Sequence, residues 1–258
     1  MRYLVISDIH ANLEALDATL AAADPYDRAL VLGDLVGYGA DPNAVIERVR
    51  ALPDAAIVRG NHDKVGAGLE NVEGFNHLAR QAIAWTSSVL TPENRAWLAA
   101  LPQGPAIVGD LVEICHGTPF DEDVYIFDDL DALRSLRSAR RPVCFFGHTH
   151  VPAVFRLGDG SAAAGSGHPH ASGVLVTVSL PKAASFRLQL DQEGRYLVNC
   201  GAVGQPRDGD PRAAYGLFDT DARTMTMLRA AYDVEAAQEK ILAAGLPEVL
   251  AQRLAVGR

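Results

Sequence analysis

Along its first third the chain switches between unbroken apolar runs and runs with helical spacing. "RYLVIS" (2–7), "RALVLG" (28–33) and "AAIVRG" (55–60) are short and continuous, the pattern of strands covered on both faces. Between the first two, "NLEALDATLAAA" sets Leu13, Leu16 and Leu20 on one helical face, with Asn12 placed as its N-cap. "PNAVIERVRAL" then places Val45, Ile46, Val49 and Leu52 inward. This order predicts βαβ units in a sheet with helices on its faces.

Two further helices are predicted over 75–101. Thr91 is the expected N-cap of the second, with Pro92 in its first turn. "AIVGD" and "LVEICHG" predict paired strands, "DDLDALRSLRS" a short helix and "PVCFFG" another buried strand. After His150 the character changes. "GDGSAAAGSGHPHASG" (158–173) reads as a flexible loop. The segments "VLVTVSL", "SFRLQLD", "RYLVNCG", "AAYGLFD" and "TMTMLRAAY" predict antiparallel strands, and helix returns from Val234. Neither an internal repeat nor a linker divides the chain. A parallel α/β part followed by a mostly β part predicts two sheets packed on each other in one domain.

Composition narrows the picture. The 258 residues are 48% apolar, enough for a substantial core. A net charge of −9 argues against a broad basic surface for nucleic acid. It leaves a small anionic substrate open, because a local positive site can sit in an acidic protein. The three cysteines, Cys115, Cys144 and Cys200, show no CxxC spacing and predict reduced thiols. The N-terminal apolar run is too short for a secretory signal, and no stretch reaches the ~18 apolar residues of a membrane helix. The expectation is a soluble, cytoplasmic protein with no membrane partner.

Candidate chemistry collects just after predicted strands: "SDIH" (Asp8, His10), "GDLVGYG" (Asp34), "RGNHDK" (Asn61, His62), "ICHG" (His116) and "GHTH" (His148, His150). In open α/β sheets the carboxyl ends of the strands form the ligand crevice, so these residues are expected to converge. Strand periodicity predicts that Asp8 with His10, and His148 with His150, face the same side. Imidazole, carboxylate and amide together suit Mn, Fe, Co, Ni or Zn. The absence of a thiolate cluster speaks against a structural zinc knuckle. Asp8, His10, Asp34, Asn61, His116, His148 and His150 are more ligands than one ion needs. Two ions sharing a carboxylate would use them, and with a bridging hydroxide the centre keeps about +1, which favours a phosphate over a neutral ester.

The ordered series D-x-H, G-D, G-N-H-D, H and G-H-T-H resembles the calcineurin-like metallophosphoesterases, in particular their small bacterial and archaeal members, over roughly residues 1–220. "NCGAVGQPRD" (199–208) resembles a loop of the same branch, with Cys200 and Ala202 where Pro and Ser are usual. The resemblance implies a four-layer αββα sandwich of two mixed β-sheets, here as a single domain over 1–258. Residues 75–101 are expected as a helical cap and 234–258 as a C-terminal helical extension. It implies that Asp8, His10 and His150 hold one divalent ion, that Asn61, His116 and His148 hold another, and that Asp34 bridges them. Manganese is placed first among the candidate metals. His62 is implied to protonate the leaving oxygen or stabilise the phosphoryl oxygens, while a bridging hydroxide attacks phosphorus in line. The implied activity is that of a phosphatase or phosphodiesterase acting on a small phosphorylated substrate. Alternatives are a phosphoprotein or dinucleoside-polyphosphate phosphatase, a nuclease, or a scaffold that has lost turnover. One departure matters: the phosphoprotein phosphatases carry "GDxxDRG", whose second Asp orients the catalytic histidine, and here that place is Gly37. Asp63 is the expected substitute, on adjacency alone.

Outside the series, plainer readings hold. His77 reads as a surface or packing residue, and His168 and His170 as members of a solvated loop. Arg59 and Lys64 flank "GNHD" and read equally as phosphate contacts or surface charge. Arg207 reads as a candidate phosphate contact, Tyr38 as lining the crevice or packing a turn, and Asn12 as an N-cap before a substrate contact.

Overall fold

The computed structural model describes residues 1–158, 173–181 and 183–258. The Gly/Ser/Ala-rich stretch with His168 and His170 lies outside the described residues.

Strand β1 (Arg2–Ile6) shows why the sequence builds layers. Its alternate side chains serve two cores: Leu4 and Ile6 pack under helices, whereas Tyr3 and Val5 pack between two sheets. Parallel to β1 runs β2 (Arg28–Val31), and parallel to β2 runs β3 (Ala56–Ile57). The helices that connect them, α1 (Leu13–Ala22) and α2 (Pro42–Arg50), bury Leu16, Val45, Ile46 and Val49 against this sheet. The sheet continues on its other side through β11 (Ala213–Asp219), β12 (Thr224–Ala230) and β9 (Ser185–Gln189), all antiparallel. The order is β3-β2-β1-β11-β12-β9.

The second sheet has the order β4-β5-β6-β10-β7-β8. Its strands are β4 (Ala106–Val108), β5 (Val112–Ile114), β6 (Val143–Phe145), β7 (Ala153–Leu157), β8 (Leu175–Thr177) and β10 (Arg195–Asn199). Strand β10 differs from the expected antiparallel pattern, since it runs parallel to β6 and antiparallel to β7. Val112, Ile114, Val143, Phe145 and Val198 face the first sheet, meeting Val5, Leu30, Leu32 and Val58. Each fully buried side chain of this kind contributes roughly 1.5–3 kcal/mol. On the outer face of the second sheet, α6 (Asp129–Ser138) buries Ala132 and Leu136 against Cys144 and Leu197. Helices, sheet, sheet and helix make the four expected layers, with both sheets mixed.

Two details differ from the sequence pattern. The third strand is only Ala56–Ile57 long, because the Arg59 amide turns away to donate to the Pro102 carbonyl at 2.8 Å. "GNHD" opens a helix: Gly60 caps α3 (Asn61–Gly66). Helices α4 (His77–Val89) and α5 (Pro92–Ala99) pack through Ile83 and Leu98 onto Val36 and Val65. Thr91 accepts from the Asn94 amide at 3.1 Å, as an N-cap does. His77 is exposed. The last helices, α7 (Val234–Ala243) and α8 (Glu248–Val256), bury Ile241, Leu250 and Leu254 with Ala79, Ala82 and Tyr38.

Candidate metal centre

Strands β1, β2, β3, β5 and β6 end at one edge of the sandwich, and each delivers its residues within a few positions of its last strand residue. Asp8, His10 and Ala11 have φ near +50°, Asp34 has φ 53°, and His148 and His150 have φ 67° and 59°. Strand periodicity therefore does not aim these pairs, contrary to expectation. After β1, β2 and β6 the chain curls into left-handed backbone, which turns these side chains across the edge. Such backbone costs roughly 1–2 kcal/mol per residue and persists where the surroundings enforce it. Backbone hydrogen bonds between the loops hold it here, from Asp8 N to Gly33 O at 3.1 Å, His10 N to Asp34 O at 2.9 Å and Gly204 N to Asp8 O at 2.9 Å, and the neighbouring backbones come close. A Cβ on Gly60 would fall 2.1 Å from Asp34 Oδ1, and one on Gly147 would fall 2.8 Å from Asp8 Oδ2.

The seven residues expected as ligands come together, and the six Asp and His side chains form two buried groups. One is Asp8, His10, Asp34 and His150; the other is Asp34, His116 and His148. Asn61 joins the second group, its Oδ1 lying 3.1 Å from His116 Nε2. The hydrogen bonds at the back of each imidazole fix which nitrogen faces inward. A carbonyl can only accept, so a ring nitrogen that meets one carries the proton. His10 Nδ1 donates to Val36 O at 3.0 Å, His150 Nδ1 to Gln205 O at 2.7 Å and His116 Nδ1 to Leu32 O at 2.8 Å. His148 is turned the other way, with Nε2 donating to Asp123 O at 3.2 Å.

The inward nitrogens then confront one another, and in the neutral pair His10 and His150 they do so with lone pairs. His10 Nε2 and His150 Nε2 are 3.1 Å apart, and His116 Nε2 and His148 Nδ1 are 3.0 Å apart. The two acceptors of His10 and His150 do not hold such a distance unaided, whereas between His116 and His148 a proton on His116 bridges the gap when no cation does. Donors around a first-row cation, at about 2.0–2.2 Å each, sit about 3–3.5 Å from one another. The donor set thus fits metal ions. Asp34 lies at the junction: Oδ2 is 3.5 Å from His10 Nε2 and 3.4 Å from His116 Nε2. Its other oxygen is already engaged by the His62 amide at 2.9 Å.

The electrostatics follow. Burial pushes the imidazoles of His10 and His150 well below their ordinary range and His148 down to about 3. His116 moves the other way, to about 10: burial pulls it down, but the charge and hydrogen bond of Asp34, the charge of Asp8 and the Leu32 carbonyl together raise it. Burial and Asp34 push Asp8 up to about 6, a pull that the neighbouring His116 opposes. A cation seated at either group would take over the charge compensation that a proton on His116 now provides.

His62 stands beside both groups. Its ring centroid lies 4.5 Å from Phe75, 4.6 Å from Tyr38 and 4.8 Å from His10. Asp63 does not orient it, which corrects the sequence reading. Asp63 accepts from the backbone amides of Leu35 at 2.8 Å, Val36 at 3.2 Å and Gly60 at 2.9 Å, and so shapes the loop that carries Asp34. His62 Nδ1 has no hydrogen-bond partner among the described residues, and it packs on Gly37. Ring packing, with Gly37 leaving room, holds the imidazole where another branch uses a carboxylate. Burial pushes His62 down to about 4, so it is neutral at neutral pH.

Other sequence candidates separate here. Asn12 uses both ends of its amide, accepting from Ala15 N at 3.1 Å and donating to Gly204 O at 2.9 Å, so it is an N-cap. The Arg207 guanidinium lies 5.6 Å from the Tyr38 ring centroid and donates to Gln205 Oε1 at 2.9 Å. Cys115, Cys144 and Cys200 are free and buried. Sequence reasoning missed Tyr125, whose ring lies 3.7 Å from that of His148, and Asn199, which donates to Gly147 O at 2.8 Å. The segment between β5 and α6 that carries Tyr125 has no periodic pattern to read. Asn199 was legible only as part of a motif.

Comparison with known proteins shows the family and the fold. The family model of the calcineurin-like phosphoesterase superfamily domain matches residues 1–223. A curated protein of Methanocaldococcus jannaschii, itself described as uncharacterized, is 36% identical over 98% of this chain and 97% of its own length. The crystal structure of a metallophosphoesterase from Sphaerobacter thermophilus is 39% identical, with a TM-score of 0.83 over 100% of this chain and 99% of that one. A hypothetical protein from Pyrococcus horikoshii shares the fold at 18% identity, with a TM-score of 0.75 over 100% of this chain and 98% of its own.

Proposed function

The chain belongs to the calcineurin-like phosphoesterase superfamily, and from that membership and its paired Asp–His groups we propose a phosphoester hydrolase built on two divalent ions. Metal-dependent phosphoester hydrolysis is what the membership supports in general. The observation that carries the two-ion reading is Asp34 Oδ2, one oxygen shared by two sets of inward-facing nitrogens.

In this reading Asp8, His10 and His150 hold one ion, Asn61, His116 and His148 the other, and Asp34 both. Bound there, the ions supply a water of lowered pKa and offset charge on the phosphoryl oxygens, with manganese the first metal to test. The residues around them orient and exclude water. His62 meets the substrate as a neutral imidazole. Nδ1 faces Gly37, so Nε2 is the nitrogen left to donate to a phosphoryl or leaving oxygen. That supports stabilisation of the phosphoryl oxygens over protonation from a standing imidazolium. The Arg207 guanidinium offers a further phosphate contact. Phe75, at the start of the 75–101 segment, packs on His62 and supports reading that segment as a cap.

The substrate is read as a small phosphorylated molecule, since a net charge of −9 disfavours a nucleic-acid strand. Among the described residues no helix is long and apolar enough to cross a membrane. Free buried thiols support a reducing, cytoplasmic setting. The test is to strip the metal, add back Mn, Fe, Co, Ni or Zn, and assay p-nitrophenyl phosphate, bis-p-nitrophenyl phosphate and a nucleotide panel. Absence of turnover with every metal would sink the enzymatic reading.

A further inference from the structure

Arg59 and Lys64 flank "GNHD", and the structure shows what they do. Lys64 is buried among three carboxylates, donating to Glu70 at 2.6 Å and Asp123 at 2.6 Å, with Glu122 at 3.3 Å. Arg59 grips Glu122 with two parallel bonds, Nε to Oε2 at 3.0 Å and Nη2 to Oε1 at 2.9 Å. Glu122 is buried as well. Neither cation is free to bind a phosphate. Both tie the segment from Gly117 to Phe127 onto α3 and the turn before it.

What that segment does for the centre is specific. Asp123 supplies the carbonyl that accepts from His148 Nε2, so it decides that His148 presents Nδ1 inward. The other three histidines find their carbonyls on strand-end loops held by the sheets. The segment that carries Asp123 has no strand or helix of its own beyond a bridge between Thr118 and Asp121. Ile126 anchors its far end in the core under α6, and the stretch around Asp123 is held by ion pairs. Those pairs run to Lys64 and Arg59, and Lys64 shares α3 with Asn61 and His62. The same cluster therefore spans both banks of the group formed by Asn61, His116 and His148.

We propose that Arg59, Lys64, Glu122 and Asp123 are positioning residues for the ion on the Asn61–His116–His148 side, a role that rests on the two-ion reading above. They hold the Asp123 carbonyl against His148 and fix that ring's tautomer and tilt. Carbonyl partners of metal-bound imidazoles typically matter by about 10–100-fold in metal affinity.

The test is a metal titration of the metal-free full chain with Mn or Zn, read by calorimetry and by elemental analysis after dialysis. Wild type is expected to bind two ions. Lys64→Met is expected to weaken one of them by about 10-fold or more and leave the other unchanged. Lys64→Arg is expected to restore much of the loss. Asp123→Asn, which keeps the carbonyl but weakens the ion pair at a half-exposed side chain, is expected to give a smaller loss in the same ion. It keeps the test open if Lys64→Met does not fold. Two ions bound with unchanged affinity in the variants would overturn the positioning role. So would a raised KM for p-nitrophenyl phosphate with full metal content, which would make Lys64 a substrate ligand. One ion or none in wild type would instead overturn the two-ion reading itself.

Discussion

Gly37→Ala tests how His62 is held. A methyl carbon at that position would lie 2.4 Å from His62 Nδ1, 3.1 Å from Cγ and 3.3 Å from Cε1. An ordinary carbon–nitrogen contact is about 3.5 Å, so the ring must retreat by about 1 Å. Retreat is opposed by the Phe75, Tyr38 and His10 rings at 4.5–4.8 Å. The backbone at Gly37 has φ +88°, which adds roughly 1–2 kcal/mol for any L side chain. With overpacking of about 1–3 kcal/mol, the stability loss should be about 2–5 kcal/mol. A misplacement of about 1 Å at a reacting centre costs on the order of 100-fold in rate, about 2.7 kcal/mol. The assay is kcat/KM for p-nitrophenyl phosphate, with bound metal counted in the same preparation and unfolding followed by chemical denaturation. Metal content should stay at the wild-type value, because His62 lies outside both ligand groups. A variant within about threefold of wild-type kcat/KM, with metal intact, would refute the idea that packing on Gly37 sets the His62 position.

Asp63→Asn should cost about 2–4 kcal/mol in urea unfolding, since an amide cannot accept from all three backbone N–H groups, and a change within about 0.5 kcal/mol would show that the carboxylate is dispensable. Asp34→Asn should weaken both ions, whereas His116→Ala should weaken one; elemental analysis decides, and loss of the same single ion in both would contradict the shared position of Oδ2. Apparent metal affinity should fall as pH drops from 8 toward 5, because His116, raised to about 10, must shed its proton to ligate while His10, His148 and His150 are already neutral; a flat profile in calorimetry would argue against His116 as a ligand.

Much of this was legible in the chain because periodicity is local. The runs 2–7 and 28–33 could only be strands sealed on both faces, and Leu16, Val45 and Val49 could only be inner faces of helices. Asp8, Asp34, Asn61, His116 and His148 were recognisable because each follows a predicted buried strand and together they form an ordered series, and the strand ends of both sheets meet at one edge of the sandwich. The aim of Asp8 and His10 was read for the wrong reason. Left-handed backbone is held by bonds between loops, such as His10 N to Asp34 O, which periodicity does not register. Asp63 was misassigned by adjacency: a neighbour in sequence on a new helix points elsewhere, and its partners are amides from Leu35, Val36 and Gly60.

The sequence by itself determined the layers, the edge where the ligands gather and the residue types that suit a cation, because these follow from short-range pattern and from chemistry. Tertiary structure alone decided the rest. It set which nitrogen of each histidine faces inward, that one oxygen of Asp34 serves both groups, and that His62 leans on Gly37. It also placed Lys64 under the Asp123 loop instead of in solvent. Each of these depends on a partner more than twenty residues away, or on how closely two backbones approach, and no local pattern carries that information.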